Sequence, residues 1–409
     1  MPRSSKLIIV GILLVGIALF VGIRYETTAI AECDVSVSKE MLQESLALGT
    51  GFILANQKPA GNFEYEYDWI NKTYNPEDNS VRQAGALWGL ALIYAHTRDA
   101  KLLEPIERGL AFFERYSKVR TDGARYVIYP GETDGSLGTV ALAALAHIEY
   151  LNAHEADLSE EALTHQKDLL DGYLRFISTA VTRDKLFAGS YDMNGISGGR
   201  PSSYSDGESL LTLVKAARYR GYPQWEQQVK ELANAGYAIN VKQALKDDPD
   251  SDTTKGYYQW SSMAYRELAE SGWDDTEKYG EYAIDLADWM IDTHKVLTRT
   301  RNTGYAFEGI LSAYAVANDR GDKKHAQKFR CAAETGLSKL TSWQLGNPAA
   351  NTFITSQFEE DSKALATASG GAPSKAWGGI QNAANEPLLR IDVTQHQMHA
   401  VIFALEEIF

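Results

Sequence analysis

Residues 84–94 read AGALWGLALIY, residues 138–148 GTVALAALAHI, residues 209–217 SLLTLVKAA and residues 306–316 AFEGILSAYAV. Two further stretches, SSMAYREL at 261–268 and QMHAVIFAL at 397–405, have the same character. Each is apolar or small around its whole circumference, the pattern of a helix buried on every side. Between them run amphipathic segments with one charged face, near residues 39–56, 100–116, 159–177, 224–239, 277–293 and 323–340. Leu102, Ile106, Leu110 and Phe113 show the three- and four-residue spacing of such a half-buried helix. Turn residues separate the two kinds, as at Gly221-Tyr222-Pro223 and Arg320-Gly321-Asp322. The pair returns at intervals of roughly 50–65 residues, which marks a repeat architecture.

About six buried helices alternating with about six half-exposed ones predict an all-α fold, an (α/α)6 toroid over residues 37–409. An inner ring wrapped by an outer ring buries the first set on both sides. An open solenoid is the competitor, but it needs polar capping helices at its ends. The last helix, VIFALEEIF at 401–409, is as apolar as the middle ones, so closure is the better reading. In a closed ring the first outer helix lies beside the sixth. Cys33 precedes the former and Cys331 lies in the latter, which predicts a disulfide where the ends of the ring meet. These are the two cysteines of the chain, too few for a Cys-based zinc or iron–sulfur site.

The chain has 409 residues, with 40 Lys and Arg against 54 Asp and Glu, a formal charge of −14. Apolar residues at 44% and charged residues at 23% exclude a disordered protein, a collagen-like fibre and a multi-span membrane protein. An acidic chain with scattered Lys and Arg offers no stripe to release counterions from a phosphate backbone, so nucleic acid is not expected as a partner. Residues 1–36 read as a separate membrane segment. Arg3 and Lys6 precede the uncharged run LIIVGILLVGIALFVGI at 7–23, and Arg24 follows it. Such a run is at the short limit of a spanning helix. Ala29-Ile30-Ala31 resembles a cleavage site, though some distance beyond the run. A retained single-pass anchor and a removed signal peptide both follow from these features. Either one sends the main domain across the membrane, to the periplasmic side of an inner membrane or to secretion.

In a double ring the loops entering the inner helices open on one end of the central cavity, where helix N-termini present free N–H groups. Asn79 to Gln83 enter the first inner helix and Glu132 to Ser136, with Asp134, the second. Asp206 and Glu208 enter the third, Tyr257 to Trp260 the fourth, and Arg301 to Tyr305 the fifth, with Glu308 one turn on. Arg390, Asp392 and His396 open the sixth. Taken singly, Asp134 or Asp206 reads equally as a helix cap, Arg82 as a structural ion-pair partner and His396 as a core histidine. Their convergence with Tyr65, Tyr67, Trp69, Tyr204, Trp260, Tyr305 and Trp377 points instead to a sugar site, which needs flat aromatic faces beside dense polar groups. The glycine-rich segment 189–205 reads as a connector or as a lid over the cavity. Residues 366–381, which carry Trp377, read as a second loop facing it. GxSxG, P-loop, GxGxxG and HExxH motifs are absent from the sequence. The acidic run 247–252 lacks EF-hand spacing and reads as a solvated connector. No cofactor or metal is expected.

The segment NSVRQAGALWGLALIY at 79–94, followed by Thr97-Arg98-Asp99, resembles the first inner helix of six-hairpin carbohydrate-active enzymes. N-acylglucosamine 2-epimerase-like and unsaturated glucuronyl hydrolase-like proteins are examples, and glucuronyl C5-epimerases share a related toroidal domain. The likeness spans the architecture from about residue 37 onward, with motif-level similarity in this one segment. It implies acidic catalytic residues at inner-helix entrances for a hydrolase, which Asp134, Asp206 and Asp392 supply. For an epimerase it implies paired histidines across the cavity, where only His396 and His399 stand. The expected activity is therefore glycoside hydrolysis of a cell-envelope or exopolysaccharide glycan. Asp134 with Asp206 or Glu208 form the acid/base pair, Asp392 and His396 an orienting or alternative base dyad, and Arg82 and Arg390 the hold on a uronate. A lyase or epimerase using Tyr305, His396 and Arg82 is the catalytic alternative. A non-catalytic glycan-binding subunit of an export or envelope complex is the alternative from another class.

Overall fold

The computed structural model describes residues 33–357 and 375–409, and Val35–Phe409 form one compact unit. Among the described residues twelve helices carry the architecture. The outer ones are α1 (Lys39–Ala55), α3 (Leu103–Arg115), α5 (Glu160–Thr179), α7 (Glu226–Gly236), α9 (Glu277–Asp292) and α11 (Lys323–Thr341). The inner ones are α2 (Ser80–Thr97), α4 (Leu137–His154), α6 (Ser203–Tyr219), α8 (Asp252–Ala269), α10 (Gly304–Asp319) and α12 (Ile391–Glu407).

Each inner helix packs on the next, α2 on α4, α4 on α6, α6 on α8, α8 on α10 and α10 on α12. Finally α12 packs on α2 and the ring is closed. Burial follows the two sequence patterns. Residues 137–151 of α4 are buried without interruption, as a helix with neighbours on every side must be. In α3 burial is confined to one stripe that includes Ile106, Leu110, Phe112 and Phe113. Small residues let the first and last ring helices approach. A Cβ added at Gly89 of α2 would stand 2.6 Å from Cγ of Gln395 on α12, a distance that side chains do not tolerate.

The helix starts are fixed locally. Asn79 accepts a hydrogen bond from the backbone N–H of Arg82 to cap α2, and Ser159 does the same for α5 through Ala162. The outer helix α7 runs on into a π-helical turn, Tyr237–Gln243.

The all-α expectation holds for both rings but misses small antiparallel sheets in the connections. One has strand order β2 (Thr73–Tyr74), β1 (Glu66–Asp68), β8 (Leu388–Arg390). Its register sets Glu66 opposite Arg390, so the approach to α2 is zipped to the approach to α12. A second joins β5 (Asp134–Ser136), β6 (Ala188–Asp192) and β7 (Ser197–Pro201), uniting the approaches to α4 and α6. A two-stranded sheet pairs β3 (Ser117–Val119) with β4 (Arg125–Val127). The segment expected as a loose connector or lid is therefore largely a β6–β7 hairpin. Its turn is held by Asp192, whose carboxylate accepts from the N–H groups of Asn194 and Ile196.

Cys33 and Cys331 are both disulfide-bonded and neither is free. Among the described residues no helix is long and apolar enough to cross a membrane. The apolar run at 7–23 and residues 366–374 of the second expected loop lie outside them.

Candidate functional site

At the N-terminal end of the inner ring the entrances enclose a cavity of about 800 Å³. The ring order sets its walls: α6 faces α12 across the cavity, and α8 faces α2.

Glu208, in the second turn of α6, lines the cavity although it is only 3% exposed. Burial pushes its carboxyl up to about 8, opposed weakly by the charge of His396, so near neutral pH it holds a proton. Its space is made by Gly138 of α4, where an added Cβ would stand 2.2 Å from Oε2 of Glu208.

On the opposite wall, His396 of α12 lines the cavity and sets Nδ1 3.2 Å from Oε1 of Glu308, a fully buried residue of α10. The same carboxylate oxygen lies 3.0 Å from Nδ1 of His399, and its partner oxygen accepts from Gln259 Nε2 at 2.8 Å. Burial alone would raise Glu308, but His396 and His399 outweigh it and hold the carboxyl below the usual range. Burial likewise disfavours charge on both histidines. For His396 the Glu308 carboxylate wins and the pKa is raised, whereas for His399 burial wins and it is lowered. Of the two rings, the cavity-facing one is thus the more readily protonated.

Beside His396, Asp392 lies 3.1 Å from Nε of Arg82 and accepts from Nε of Arg390 at 3.0 Å. The guanidinium carbons of Arg82 and Arg390 sit 5.2 and 5.4 Å from the ring centroid of Tyr65. Burial pushes the Tyr65 phenol up to about 12, with Asp392 adding to it. Arg82, Arg390 and Asp392 line the cavity, while Tyr65 backs them from behind. Trp260 forms part of the wall and packs edge-on to His396, centroids 5.9 Å apart. Tyr204 and Tyr305 flank the opening. Burial pushes Tyr305 up to about 12, helped by Tyr204.

Of the residues predicted from sequence, the cavity therefore brings together Arg82, Tyr204, Glu208, Trp260, Tyr305, Arg390, Asp392 and His396. Others stand elsewhere. Asp134 is exposed in β5 opposite Asp192, because the chain enters α4 through a strand and not through an Asp cap. Asp206 is buried and spent on structure: its oxygens accept from the Phe187 N–H at 2.7 Å and Asn240 Nδ2 at 2.8 Å. Burial pushes it up to about 6, those hydrogen bonds opposing. Glu308 supports His396 from behind and does not line the cavity. Tyr67 packs on Tyr74 at 4.8 Å, Trp69 packs edge-on to Phe353 at 6.2 Å, and Trp377 lies against Gly346. None of these three lines the cavity.

Sequence reasoning missed Lys255, His294 and Arg299, and gave Arg301 and Thr303 no role, yet all five line the cavity. Asp250, read as part of a solvated acidic run, has Oδ1 2.6 Å from Nδ1 of His294 and Oδ2 3.2 Å from Nη2 of Arg299. The usable signal was the basic run between Thr293 and Asn302. In total five Lys or Arg residues line the cavity, Arg82, Lys255, Arg299, Arg301 and Arg390, against two carboxylates, Glu208 and Asp392. In a chain of formal charge −14, that end of the ring is selectively cationic. Among the described residues no cluster of three or more His, Cys, Asp and Glu is arranged to hold a metal.

No protein-family model and no curated protein matches the sequence. Solved structures do match the fold. Cellobiose 2-epimerase from Bacillus thermoamylovorans B4167 superposes with a TM-score of 0.63 at 10% identity, covering 90% of this chain and 98% of its own. An unsaturated glucuronyl hydrolase specific for heparin gives 0.58 at 14% identity, covering 91% and 99%. A family 76 α-mannanase from Bacteroides thetaiotaomicron gives 0.56 at 10% identity, covering 90% and 94%. All three are (α/α)6 toroid enzymes, the superfamily that the 79–94 segment resembles, and at these identities the likeness is one of fold.

Proposed function

We propose that the protein is a carbohydrate-active enzyme that cleaves a glycosidic bond in an anionic poly- or oligosaccharide. Glu208 carries the proposal: a buried carboxyl that faces the cavity and is held in its protonated form near neutral pH. A general acid needs this state, because it must give a proton to the leaving glycosidic oxygen as the C–O bond breaks. Asp392, across the ring, accepts the proton of the attacking water. Arg82, Arg390 and His396 hold the anionic group of the sugar, and Trp260, Tyr204 and Tyr305 supply apolar faces for its ring. Two of the structurally similar proteins are glycan hydrolases by name, which supports the class without fixing the substrate.

The second reading is proton transfer next to a sugar carboxylate, as in a lyase or epimerase. The contact of His396 with Glu308 favours it, since a carboxylate behind an imidazole orients the ring and stabilises the cation formed when it takes a proton. Because that contact also raises the His396 pKa and so disfavours the neutral form a base needs, hydrolysis led by Glu208 is preferred. The basic-flanked apolar run at 7–23 supports a membrane-tethered or exported enzyme whose glycan lies outside the cytoplasm, with an envelope or export complex as its setting.

Reducing-end release by the full chain on neutral and uronate-containing polysaccharides, with absorbance followed for unsaturated product, tests both readings. New reducing ends without absorbance are expected. Absorbance would transfer the assignment to a lyase. Silence in both channels, with saccharide still raising the melting temperature, would leave an epimerase or a binding subunit.

A further inference from the structure

The wall made by the entrances of α8 and α10 carries cations that the cleavage chemistry does not use. Lys255, in the first turn of α8, lines the cavity and makes no ion pair among the described residues. Arg301 is 70% exposed at its side chain, and its carboxylate partner, Glu386, stands 3.6 Å away. Arg299 shares Asp250 with His294. Amid these groups Thr303 is 2% exposed and lines the cavity, and its Oγ1 has no hydrogen-bond partner. A buried hydroxyl left unpaired in a cavity wall is a group waiting for a ligand or an ordered water. Since α8 faces α2 across the ring, Lys255 stands on the wall opposite Arg82. An oxyanion held by Lys255 is therefore expected to be distinct from one held by Arg82.

We infer that Lys255, Arg299, Arg301 and Thr303 form a second anion subsite. The substrate accordingly bears charged groups on at least two of its sugar residues, a repeating polyanionic glycan and not a neutral chain with one acidic end. The inference rests on reading the cavity as a glycan site, and it adds how many charges that glycan presents. Uronate carboxylates and sulfate esters share the required chemistry, since both are oxyanions that accept from Lys, Arg and a hydroxyl.

Calorimetric titration of the full chain separates the possibilities, with galacturonic acid, tetragalacturonate, a sulfated heparin-derived disaccharide and neutral cellotetraose as probes. Tetragalacturonate or the sulfated disaccharide is expected to bind about ten-fold or more tightly than galacturonic acid, the gain of one charge-assisted contact set. The preferred arm tells carboxylate from sulfate. A Lys255→Met/Arg301→Gln double variant, with the single Lys255→Gln change as the milder check on folding, should lose most of that gain. Arg82→Gln should instead weaken every anionic ligand. Undiminished gain in the folded variants, or equal binding of mono- and polyanionic ligands, overturns the second subsite alone if cleavage is still seen. Cellotetraose binding as tightly as the charged probes, or no probe binding at all, overturns it together with the anionic-glycan reading beneath it.

Discussion

The two ends of the inner ring handle charge in opposite ways. At the end away from the cavity, the last turns of the inner helices bury an ion-pair network in which every charge has a counterpart. Lys215 of α6 lies 2.7 Å from Glu149 of α4, close but poorly aligned for a hydrogen bond, and 3.4 Å from Glu267 of α8. Arg218 and the Tyr219 hydroxyl also bind Glu267, and Arg266 bridges Glu270 and Glu407. Burial works against both Lys215 and Glu267, but their partners outweigh it, so the lysine pKa is raised and the glutamate pKa is lowered. At the cavity end Glu208 is buried without a counter-ion and yields its charge, while cations outnumber carboxylates. Matched ion pairs fasten one end of the barrel, while the other holds a surplus of cations around a buried, protonated carboxyl.

That contrast is broken most severely at Glu208. Glu208→Gln should lower kcat by about 10³-fold, within the usual range for a lost general acid, while thermal melting shifts little below about pH 4.5, where both side chains are neutral. A variant that retains turnover would remove Glu208 from the mechanism. The pH behaviour follows from the raised carboxyl. In the wild type kcat/KM should fall as pH rises through about 8, where Glu208 loses its proton. For stability, a folded pKa of about 8 against the ordinary carboxyl value of 4.5 means that the folded state holds a proton the unfolded chain releases. The associated stability is complete below about 4.5, declines as pH rises and is gone above about 8. The difference in melting temperature between the wild type and Glu208→Gln should follow that course.

At the paired end the effect should fall on stability instead. Lys215→Met strands Glu149, leaving Glu267 to Arg218 and Tyr219, and should cost about 3 kcal/mol in denaturant unfolding, with kcat of the folded fraction nearly unchanged. If kcat falls as far as stability does, the two ends are not separable. Gly138→Ala sharpens the comparison, because it displaces the Glu208 carboxyl without altering any charge. About a ten-fold loss of kcat with 1–2 kcal/mol of destabilisation is expected from overpacking. Asp134→Ala is the smallest change: it should leave turnover within about two-fold, as for an exposed substitution away from the site. A large loss would return that strand to the mechanism.

The rings were legible in sequence because burial on every side and burial on one stripe leave different residue patterns, and closure followed from the apolar last helix. The site was legible only to the level of its entrances. Asp206 and Glu208 are two positions apart, about 200° around a helix, and nothing in the chain says which of them faces inward. Asp392 and His396, four apart, share a face, and both arrived in the cavity. Tyr65, Tyr67 and Trp69 come from the stretch before the first inner helix, but strand pairing of β1 with β8 leaves them outside the cavity lining. Lys255 was passed over because an isolated cation near a helix start carries no pattern, and Arg299 because the basic run around it does not say which of its members faces the cavity. What makes them informative is their convergence with Arg301 in three dimensions.

The joint between α2 and α12 has a kinetic consequence. Each earlier neighbour contact in the inner ring joins helices roughly one repeat apart, whereas this one joins segments some 300 residues apart. Because loop-closure entropy grows only logarithmically, the added cost over a neighbouring contact is modest, about 1.5 kcal/mol. It still places this joint, with the packing of α12 on α1, among the last contacts expected to form. Asp392, His396 and Arg390 ride on the segment that closes the circle, and Arg82 waits on the first helix to receive it. A partly folded chain therefore has neither the carboxylate nor the cations in register, and catalytic competence should appear with the final step of folding and not before it.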